Sequence, residues 1–259
     1  MKYMKRFYLI IILLVMYAPV LLLMIFSFNK SKLPIWKEFT FDWYQRMMND
    51  TSIQQAFFYT ITVAVVAALV ATVIGTCAAI GINKMKGSMK TFVMNITFIP
   101  VLSPDIVTGI SLMMLYKVIH LPFGLPTLII SHITFCIPYV ILSIMPKLKQ
   151  MNYSLYEAAL DLGATPWYAF RKVILPEIMP GIIAGSFIAF TLSIDDFVVS
   201  FFNTGAGVDT LPIKIYSMAR KGVNPTINAV STLMFITIIT ILIVNNLRST
   251  TKKDKDIEE

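Results

Sequence analysis

Long apolar stretches constrain what this chain can fold into. The first of them, 7–28, is apolar apart from Ser27. At about 1.5 Å per helical residue, it is long enough to cross the hydrocarbon core of a bilayer. Of the 259 residues, 57% are hydrophobic and only 14% are charged, which lies well outside the range of soluble domains. We therefore predict an all-α integral membrane protein.

Six such stretches predict six transmembrane helices in a single membrane domain over 1–259. The predicted spans are about 7–28, 56–82, 91–117, 127–145, 181–202 and 227–247. A basic start before an apolar run is also typical of a signal peptide. This run is too long for one, and no small-x-small cleavage site follows it, so we retain it as the first span.

The distribution of Lys and Arg indicates the orientation of these spans. With the N-terminus in the cytoplasm, 14 of the 22 basic residues lie in cytoplasmic segments and 8 in outer ones. Because cytoplasmic loops carry an excess of Lys and Arg, this bias predicts that both termini are cytoplasmic. It also accounts for the net charge of +8 without nucleic acid.

A polar segment at about 147–177 interrupts the apolar chain on the predicted cytoplasmic side. Ser154 and Glu157 have the spacing of a capping box, which predicts a helix that begins near Leu155. Gly163 is placed to end that helix in the left-handed conformation. Thr165 and Pro166 then read as the N-cap and first residue of a second short helix. We call the segment 147–177 the elbow.

The elbow resembles the EAA loop of ABC-importer permeases. The residues that carry the resemblance are Glu157, Ala158, Ala159, Gly163, Leu175 and Pro176. Their spacing matches the family pattern, with Val173 where the family has Ile. The resemblance implies that the elbow docks onto a cytoplasmic ATPase and transmits its motion to the membrane helices. The simpler interpretation is an ordinary cytoplasmic helical hairpin.

Three carboxylates fall at predicted membrane depth: Asp105 in the third span, and Asp195 and Asp196 in the fifth. A charge in hydrocarbon costs at least about 2.5–3.5 kcal/mol, so such groups should face a polar cavity or a partner. No Lys or Arg lies at matching depth in spans two to six, and unpaired acidic groups suit a cationic passenger. A capping or protonated structural role is the alternative, and the sequence leaves open which of the adjacent pair faces the path.

Other residues near the predicted path have two interpretations each. Pro100 and Pro104 should bend or interrupt the third span just before Asp105, either as a simple kink or as a cavity-lining break. Trp43 is typical of an interfacial aromatic belt, or it presents a π-face to an ammonium group. His132 is expected to be hydrogen-bonded within the bundle rather than to relay protons.

The last third of the chain extends the resemblance. The blocks 193–202, 210–212, 215–217 and 224–232 together with the elbow resemble the PotC-type permease family of spermidine/putrescine importers. That resemblance implies a type I ABC-importer permease fold (MetI-like), located in the bacterial plasma membrane. It implies one half of a translocation path for polyamines, with Asp105, Asp195, Asp196 and Trp43 as candidate path residues.

The same resemblance implies several partners. They are a second homologous permease (PotB-type), a dimer of ATP-binding subunits (PotA-type) and an extracytoplasmic polyamine-binding protein (PotD-type). ATP and Mg would be held by the ATPase, and this chain would carry no cofactor and no enzymatic activity. Its sequence contains no phosphate-binding loop, no His-Glu-x-x-His and no Gly-x-Ser-x-Gly. The rival interpretations are a permease for another solute, such as an anion or a metal complex, and an ion-driven transporter or membrane enzyme that acts alone.

Overall fold

The computed structural model describes residues 2–33, 35–222, 225–240 and 243, and in this part of the chain the regular structure is helical. The helices are α1 (Lys2–Phe26), α2 (Asp42–Asn49), α3 (Thr51–Lys84), α4 (Gly87–Leu102), α5 (Asp105–Val118), α6 (Leu125–Gln150), α7 (Tyr153–Asp161), α8 (Pro166–Ala169), α9 (Leu175–Asp195), α10 (Val198–Asn203), α11 (Leu211–Arg220) and α12 (Thr226–Thr240). A π-helical turn, Phe170–Ile174, joins α8 to α9.

Four described helical stretches are long and apolar enough to cross a membrane: Arg6–Phe26, Thr51–Lys84, Leu125–Gln150 and Pro166–Asp195. They coincide with predicted spans one, two, four and five. The fifth differs at both ends, because it continues upward from the elbow without a break and stops at Asp195 rather than near 202. α12 covers the first part of predicted span six. Most of 241–247 and all of 248–259 lie outside the described residues.

Predicted span three is a bent pair of helices, α4 and α5, whose axes differ by 106°. Ser103 and Pro104 are extended between them, with ψ of 143° and 138°. A proline disfavours helical backbone in the residue before it and lacks the N–H that would continue the helix. The predicted interruption before Asp105 is therefore confirmed at Pro104. Pro100 lies inside α4, which continues past it to Leu102, so the interruption is not at Pro100 and a bend there stays a prediction.

The chain packs as two compact units within the predicted single domain. The first comprises 1–55 and 214–259, and the second comprises 56–213. The core of the second unit lies along α6, against α3 and α9. Its most deeply buried apolar residues include Ala71, Ala79, Cys136, Val140, Ile144, Ile178 and Ala189.

The contact between α6 and α9 is made by small residues four positions apart on α9. Residues four apart share one face of a helix, so this series forms a continuous stripe. From the elbow upward the facing pairs are Gly181 and Ile144, Gly185 and Val140, Ala189 and Cys136, and Ser193 and His132. A Cβ added at Gly181 would lie 3.1 Å from the Cα of Ile144, and one at Gly185 would lie 3.2 Å from the Cα of Val140. Small residues allow this close approach, which replaces the hydrophobic driving force that lipid does not supply.

We expect Gly181→Ala to destabilise the protein, because its two nearest contacts, the Ile144 Cα and the Ser143 carbonyl oxygen at 3.1 Å, are backbone atoms that cannot move aside cheaply. Overpacking of this kind costs about 1–3 kcal/mol. Gly81→Ala on α3 is the matched control, since a Cβ there meets nothing within 4 Å. Thermal unfolding of the two purified variants measures the difference. Equal unfolding temperatures would show that the stripe does not set the packing distance.

Candidate functional site

The junction between α9 and α10 is organised by Asp196. This residue is extended, with φ −63° and ψ 123°, so the helical path stops at Asp195 and restarts at Val198. The Asp196 carboxylate accepts hydrogen bonds from the backbone N–H of Val199 at 3.2 Å and of Ser200 at 2.7 Å. A carboxylate at a helix N-terminus satisfies otherwise unpaired donors and is favoured by the helix dipole. Its side chain is only 9% exposed, so Asp196 caps α10 from inside the bundle.

His132 joins three helices beneath this junction. It is fully buried on α6, and its Nδ1 lies 2.6 Å from the Ser193 hydroxyl on α9. Its Nε2 lies 2.9 Å from the Ser200 hydroxyl on α10 and 3.6 Å from the Asp196 carboxylate. Both ring nitrogens are thus satisfied, as buried polar groups require. The predicted hydrogen bonding of His132 within the bundle is confirmed.

Asp105 and Asp195 are placed differently from Asp196. Both are exposed in this chain: Asp105 is the first residue of α5 after the break, and Asp195 is the last residue of α9. Asp105 lies near Asp195 and Tyr139. Among the described residues, Lys30 forms an ion pair with Glu38, and the buried His132 ring lies 3.6 Å from the Asp196 carboxylate. The structure therefore brings the three predicted carboxylates together and leaves two of them accessible and without a basic partner in the described chain.

Trp43 belongs to the first unit and does not present an open aromatic face. Its side chain is 5% exposed, and its indole N–H donates to the Asn29 carbonyl at 2.7 Å. The Arg46 guanidinium, one helical turn further along α2, lies 5.0 Å from the ring centroid. The cation that contacts Trp43 in the described structure is thus the protein's own. The predicted contact of Trp43 with an ammonium cargo stays a prediction.

The first helix of the elbow begins earlier than the sequence predicts. α7 starts at Tyr153, and its N-cap is Asn152, whose side chain accepts from the backbone N–H of Ser154 at 3.1 Å. The predicted capping box with Ser154 as N-cap is therefore wrong. Asn is as good an N-cap as Ser, and here it occupies the position immediately before the helix. Glu157 and Ala158 are exposed on α7, and Ala159 is half-buried.

The turn after α7 follows the prediction. Gly163 has φ +85°, and its N–H donates to the Leu160 carbonyl at 2.9 Å. The N–H of Ala164 donates to the Ala159 carbonyl at 3.0 Å. This pair of bonds is a Schellman motif, in which a left-handed glycine satisfies the last carbonyls of the helix. Thr165 then caps α8 by accepting from the Tyr168 N–H at 3.3 Å, with Pro166 as the first helical residue.

The second helix of the elbow is not short. It widens into the π-helical turn, where the Leu175 N–H donates to the Phe170 carbonyl, and then continues as α9. Pro176 is the second residue of α9 and supplies no N–H to the preceding turn, which is the usual cause of such a local rearrangement. The exposed Pro176 and half-buried Leu175 thus belong to the same continuous helix as the membrane span.

The elbow exposes large apolar side chains that the sequence analysis did not select. Leu162 is 89% exposed and Trp167 is 70% exposed, with Tyr168 beside it. A usable signal was present, because these residues flank Gly163 and Pro166 in a segment already predicted to be exposed. Adjoining exposed apolar groups next to a fixed turn are typical of a protein interaction site.

Residues 71–253 match the family model of the binding-protein-dependent transport system inner membrane component. The chain belongs to this family.

Two relatives give the same assignment, and a solved structure shares the fold. The spermidine/putrescine transport system permease protein PotC of Escherichia coli (strain K12) is 41% identical, covering 90% of this chain and 88% of the relative. The putrescine transport system permease protein PotI of the same strain is also 41% identical, covering 85% and 81%. A bacterial ABC transporter that imports alginate has a subunit of the same fold, with a TM-score of 0.72, 18% identity and coverage of 98% and 95%.

Membership of this family settles several expectations. The permease is an all-α, multi-pass inner-membrane component of an ABC importer, and it is not an enzyme. It therefore works with an ATPase and a separate binding protein. The interpretation as an ion-driven transporter or a membrane enzyme that acts alone is wrong.

Proposed function

We propose that this permease forms half of the translocation path of a polyamine importer of the spermidine/putrescine class. The observation that carries the proposal is the pair of accessible carboxylates, Asp105 and Asp195, at two helix breaks in the membrane domain. The identity of 41% to both PotC and PotI supports the same cargo class. Since those two relatives are named for overlapping cargoes, the proposal concerns the class and not one polyamine.

The charges of the path suit a molecule with more than one positive centre. Asp105 and Asp195 lie close enough to repel each other, and each is costly in a membrane when unpaired. A monovalent cation neutralises one of them, whereas a diamine or polyamine has ammonium groups joined by short methylene links and neutralises both. The same charges disfavour an anion. Among the described residues, no group of three or more His, Cys, Asp or Glu side chains is placed to hold a metal ion.

The adjacent pair Asp195 and Asp196 divides into two roles in this proposal. Asp195 contacts cargo, because it is exposed at the end of α9. Asp196 holds the start of α10 in place, because its oxygens are already engaged by Val199, Ser200 and His132. The division follows from the end of the helix, because Asp195 is the last residue of α9 whereas Asp196 is extended and its carboxylate lies at the start of α10.

The partners proposed for this chain are those of the polyamine importers. They are a second homologous permease of the PotB type, a dimer of PotA-type ATPases that holds ATP and Mg, and a PotD-type binding protein outside. The elbow is the proposed ATPase contact, through Glu157, Ala158 and Ala159 on α7 and through Leu162 and Trp167 around the Gly163 turn. Because α9 continues directly from the elbow to Asp195, movement of the elbow would be carried by one helix to the carboxylates.

Gly163→Val should weaken attachment of the ATPase and stop uptake, because a β-branched residue cannot adopt φ +85° without strain. Gly207→Val is the matched control: it has φ +82° and open space around it, but lies in a predicted outer segment. Gly163→Asn should retain more activity, since Asn tolerates the left-handed region. Co-purification of the ATPase and uptake are the readouts. If Gly163→Val behaves like Gly207→Val in both, the elbow is not the docking site.

The proposed orientation predicts the outcome of reporter fusions. A reporter that is active only outside the cytoplasm should be active when fused after Gly207 and silent when fused after Gln150, which places the elbow inside. The reverse pattern would place the elbow outside the cell, where no ATPase reaches it. Fusion levels are matched by immunoblot.

Asp105→Asn and Asp195→Asn should each reduce polyamine uptake about tenfold or more, since each removes a contact with a charged group worth about 1.5–3 kcal/mol. Assembly with the ATPase should persist, because both side chains are exposed. Asp209→Asn makes the same chemical change at an exposed position of the loop after α10 and is the control. The measurement is labelled-putrescine and labelled-spermidine uptake into membranes matched for protein level.

Asp196→Asn separates the two roles in the same assay. Asn keeps one of the two oxygens that accept from Val199 and Ser200, so this variant should lose less stability than Asp196→Ala, which removes both and should cost about 1 kcal/mol. If Asp105→Asn and Asp195→Asn both transport at the unmodified rate, the carboxylates do not contact cargo and the proposed cargo class loses its structural support.

A further inference from the structure

Two neighbouring cavities of opposite character lie in the first unit. One, of about 570 Å³, is apolar and is lined by Leu22, Leu23 and Phe26 of α1 and by Ala219 and Ile227 of α11 and α12. The other, of about 500 Å³, is polar and is lined by Lys32, Trp43, Arg46, Asp50 and Lys221. Lys32 and Gly222 line both cavities, so the two adjoin. Each has the size of a small-molecule binding site.

The polar cavity carries a net positive charge. Lys32, Arg46 and Lys221 face it, and none of them forms an ion pair within the described residues. The single carboxylate, Asp50, is engaged elsewhere: it accepts hydrogen bonds from the Ser52 N–H at 2.9 Å and the Ile53 N–H at 3.3 Å. The Ser52 hydroxyl also donates to this carboxylate, and these hydrogen bonds, above all that of the hydroxyl, lower the pKa of Asp50. Asp50 therefore stays negatively charged, and it offsets one of the positive charges of Lys32, Arg46 and Lys221. The cavity therefore repels a polyamine and attracts an anion.

The apolar cavity narrows the class of anion. Its α1 residues lie at the end of a membrane-spanning helix, in the part that faces the outer leaflet in the proposed orientation. The basic cavity follows directly after that end, where the chain leaves the hydrocarbon. Basic side chains are unusual on the outer side of a membrane protein. A cluster of them beside an apolar cavity fits a ligand that has both an anionic group and a hydrocarbon chain. A free phosphate or an acidic side chain would occupy only the basic cavity and would leave the apolar cavity unfilled.

We propose that the double cavity binds an anionic phospholipid of the outer leaflet. Its phosphate lies among Lys32, Arg46 and Lys221, and an acyl chain lies along α1 between Leu22 and Ile227. Such a lipid joins segments that are far apart in the sequence, 19–46 and 219–228, and so holds the first unit together. The proposal concerns a different unit from the carboxylates and does not depend on the cargo.

The test is native mass spectrometry of the assembled transporter after removal of its lipids. Phosphatidylglycerol and phosphatidylcholine with the same acyl chains are added in turn, and we expect at least a fivefold preference for phosphatidylglycerol. The triple variant Lys32→Gln, Arg46→Gln, Lys221→Gln should lose this preference. The triple variant Lys30→Gln, Lys37→Gln, Lys117→Gln removes the same charge at exposed positions outside the cavity and should keep it.

A second variant separates a lipid from a free anion. Ala219→Trp fills the apolar cavity without changing the charge, and it should reduce phosphatidylglycerol binding about as much as the charge variant does. Inorganic phosphate at millimolar concentration should not displace the lipid. Added phosphatidylglycerol should also raise the unfolding temperature of the unmodified transporter, but not that of either cavity variant, because a ligand that binds only the folded state stabilises it.

Three results would overturn the proposal. One is equal retention of both lipids by the unmodified transporter. Another is full retention of phosphatidylglycerol by the charge variant or by Ala219→Trp. The third is unchanged lipid binding by the charge variant together with weaker attachment of the binding protein, which would assign the basic cavity to acidic side chains of that partner. Uptake of polyamine is a separate readout and bears only on the proposed cargo.

Discussion

The close packing of α6 against α9 is the constraint on which the rest of the second unit depends. Lipid offers no hydrophobic driving force between helices, so their association relies on van der Waals contact and on interhelical hydrogen bonds. The stripe from Gly181 to Ser193 provides the first, and the contacts of Ser193 with His132 and of Cys136 with the Ala189 carbonyl provide the second. The packed pair connects the elbow to the interior of the membrane domain, because α6 ends at the elbow and α9 begins there. A movement imposed at the elbow acts on a packed pair of helices and not on a flexible loop.

At the other end of the pair, the buried network around His132 decides what the neighbouring carboxylates can do. Asp196 is bound by the first turn of α10 and approached by His132, so its cost of burial is offset within the chain. Asp195 and Asp105 have no comparable compensation among the described residues. This contrast between neighbours in the sequence identifies a structural carboxylate and a free one. The break between α9 and α10 leaves the first N–H groups of α10 without intrahelical acceptors, and the Asp196 carboxylate accepts from two of them.

The first unit follows a different physical logic. Its aromatic and basic residues stabilise one another around α2. The Trp43 indole N–H donates to the Asn29 carbonyl, and the Arg46 guanidinium lies over the Trp43 ring. Lys32, Arg46 and Lys221 face the polar cavity, which adjoins the apolar one. In a soluble protein such a surface would be a liability. Next to a bilayer, this surface is complementary to phospholipids, which have a charged head group and apolar chains.

Sequence alone determined the features that depend on composition and on local chain chemistry. The apolar runs located the long helices, the proline at 104 located the break before Asp105, and Gly163 located the left-handed turn, because each effect acts within a few residues. Tertiary structure decided the features that depend on which groups meet across the bundle. It selected Asn152 over Ser154 as cap, ended α9 at Asp195, distinguished Asp196 from Asp195 through His132, and buried Trp43 beneath Arg46. Residues with equal local propensity differ only in their distant neighbours, and those neighbours are specified by packing and not by position in the chain.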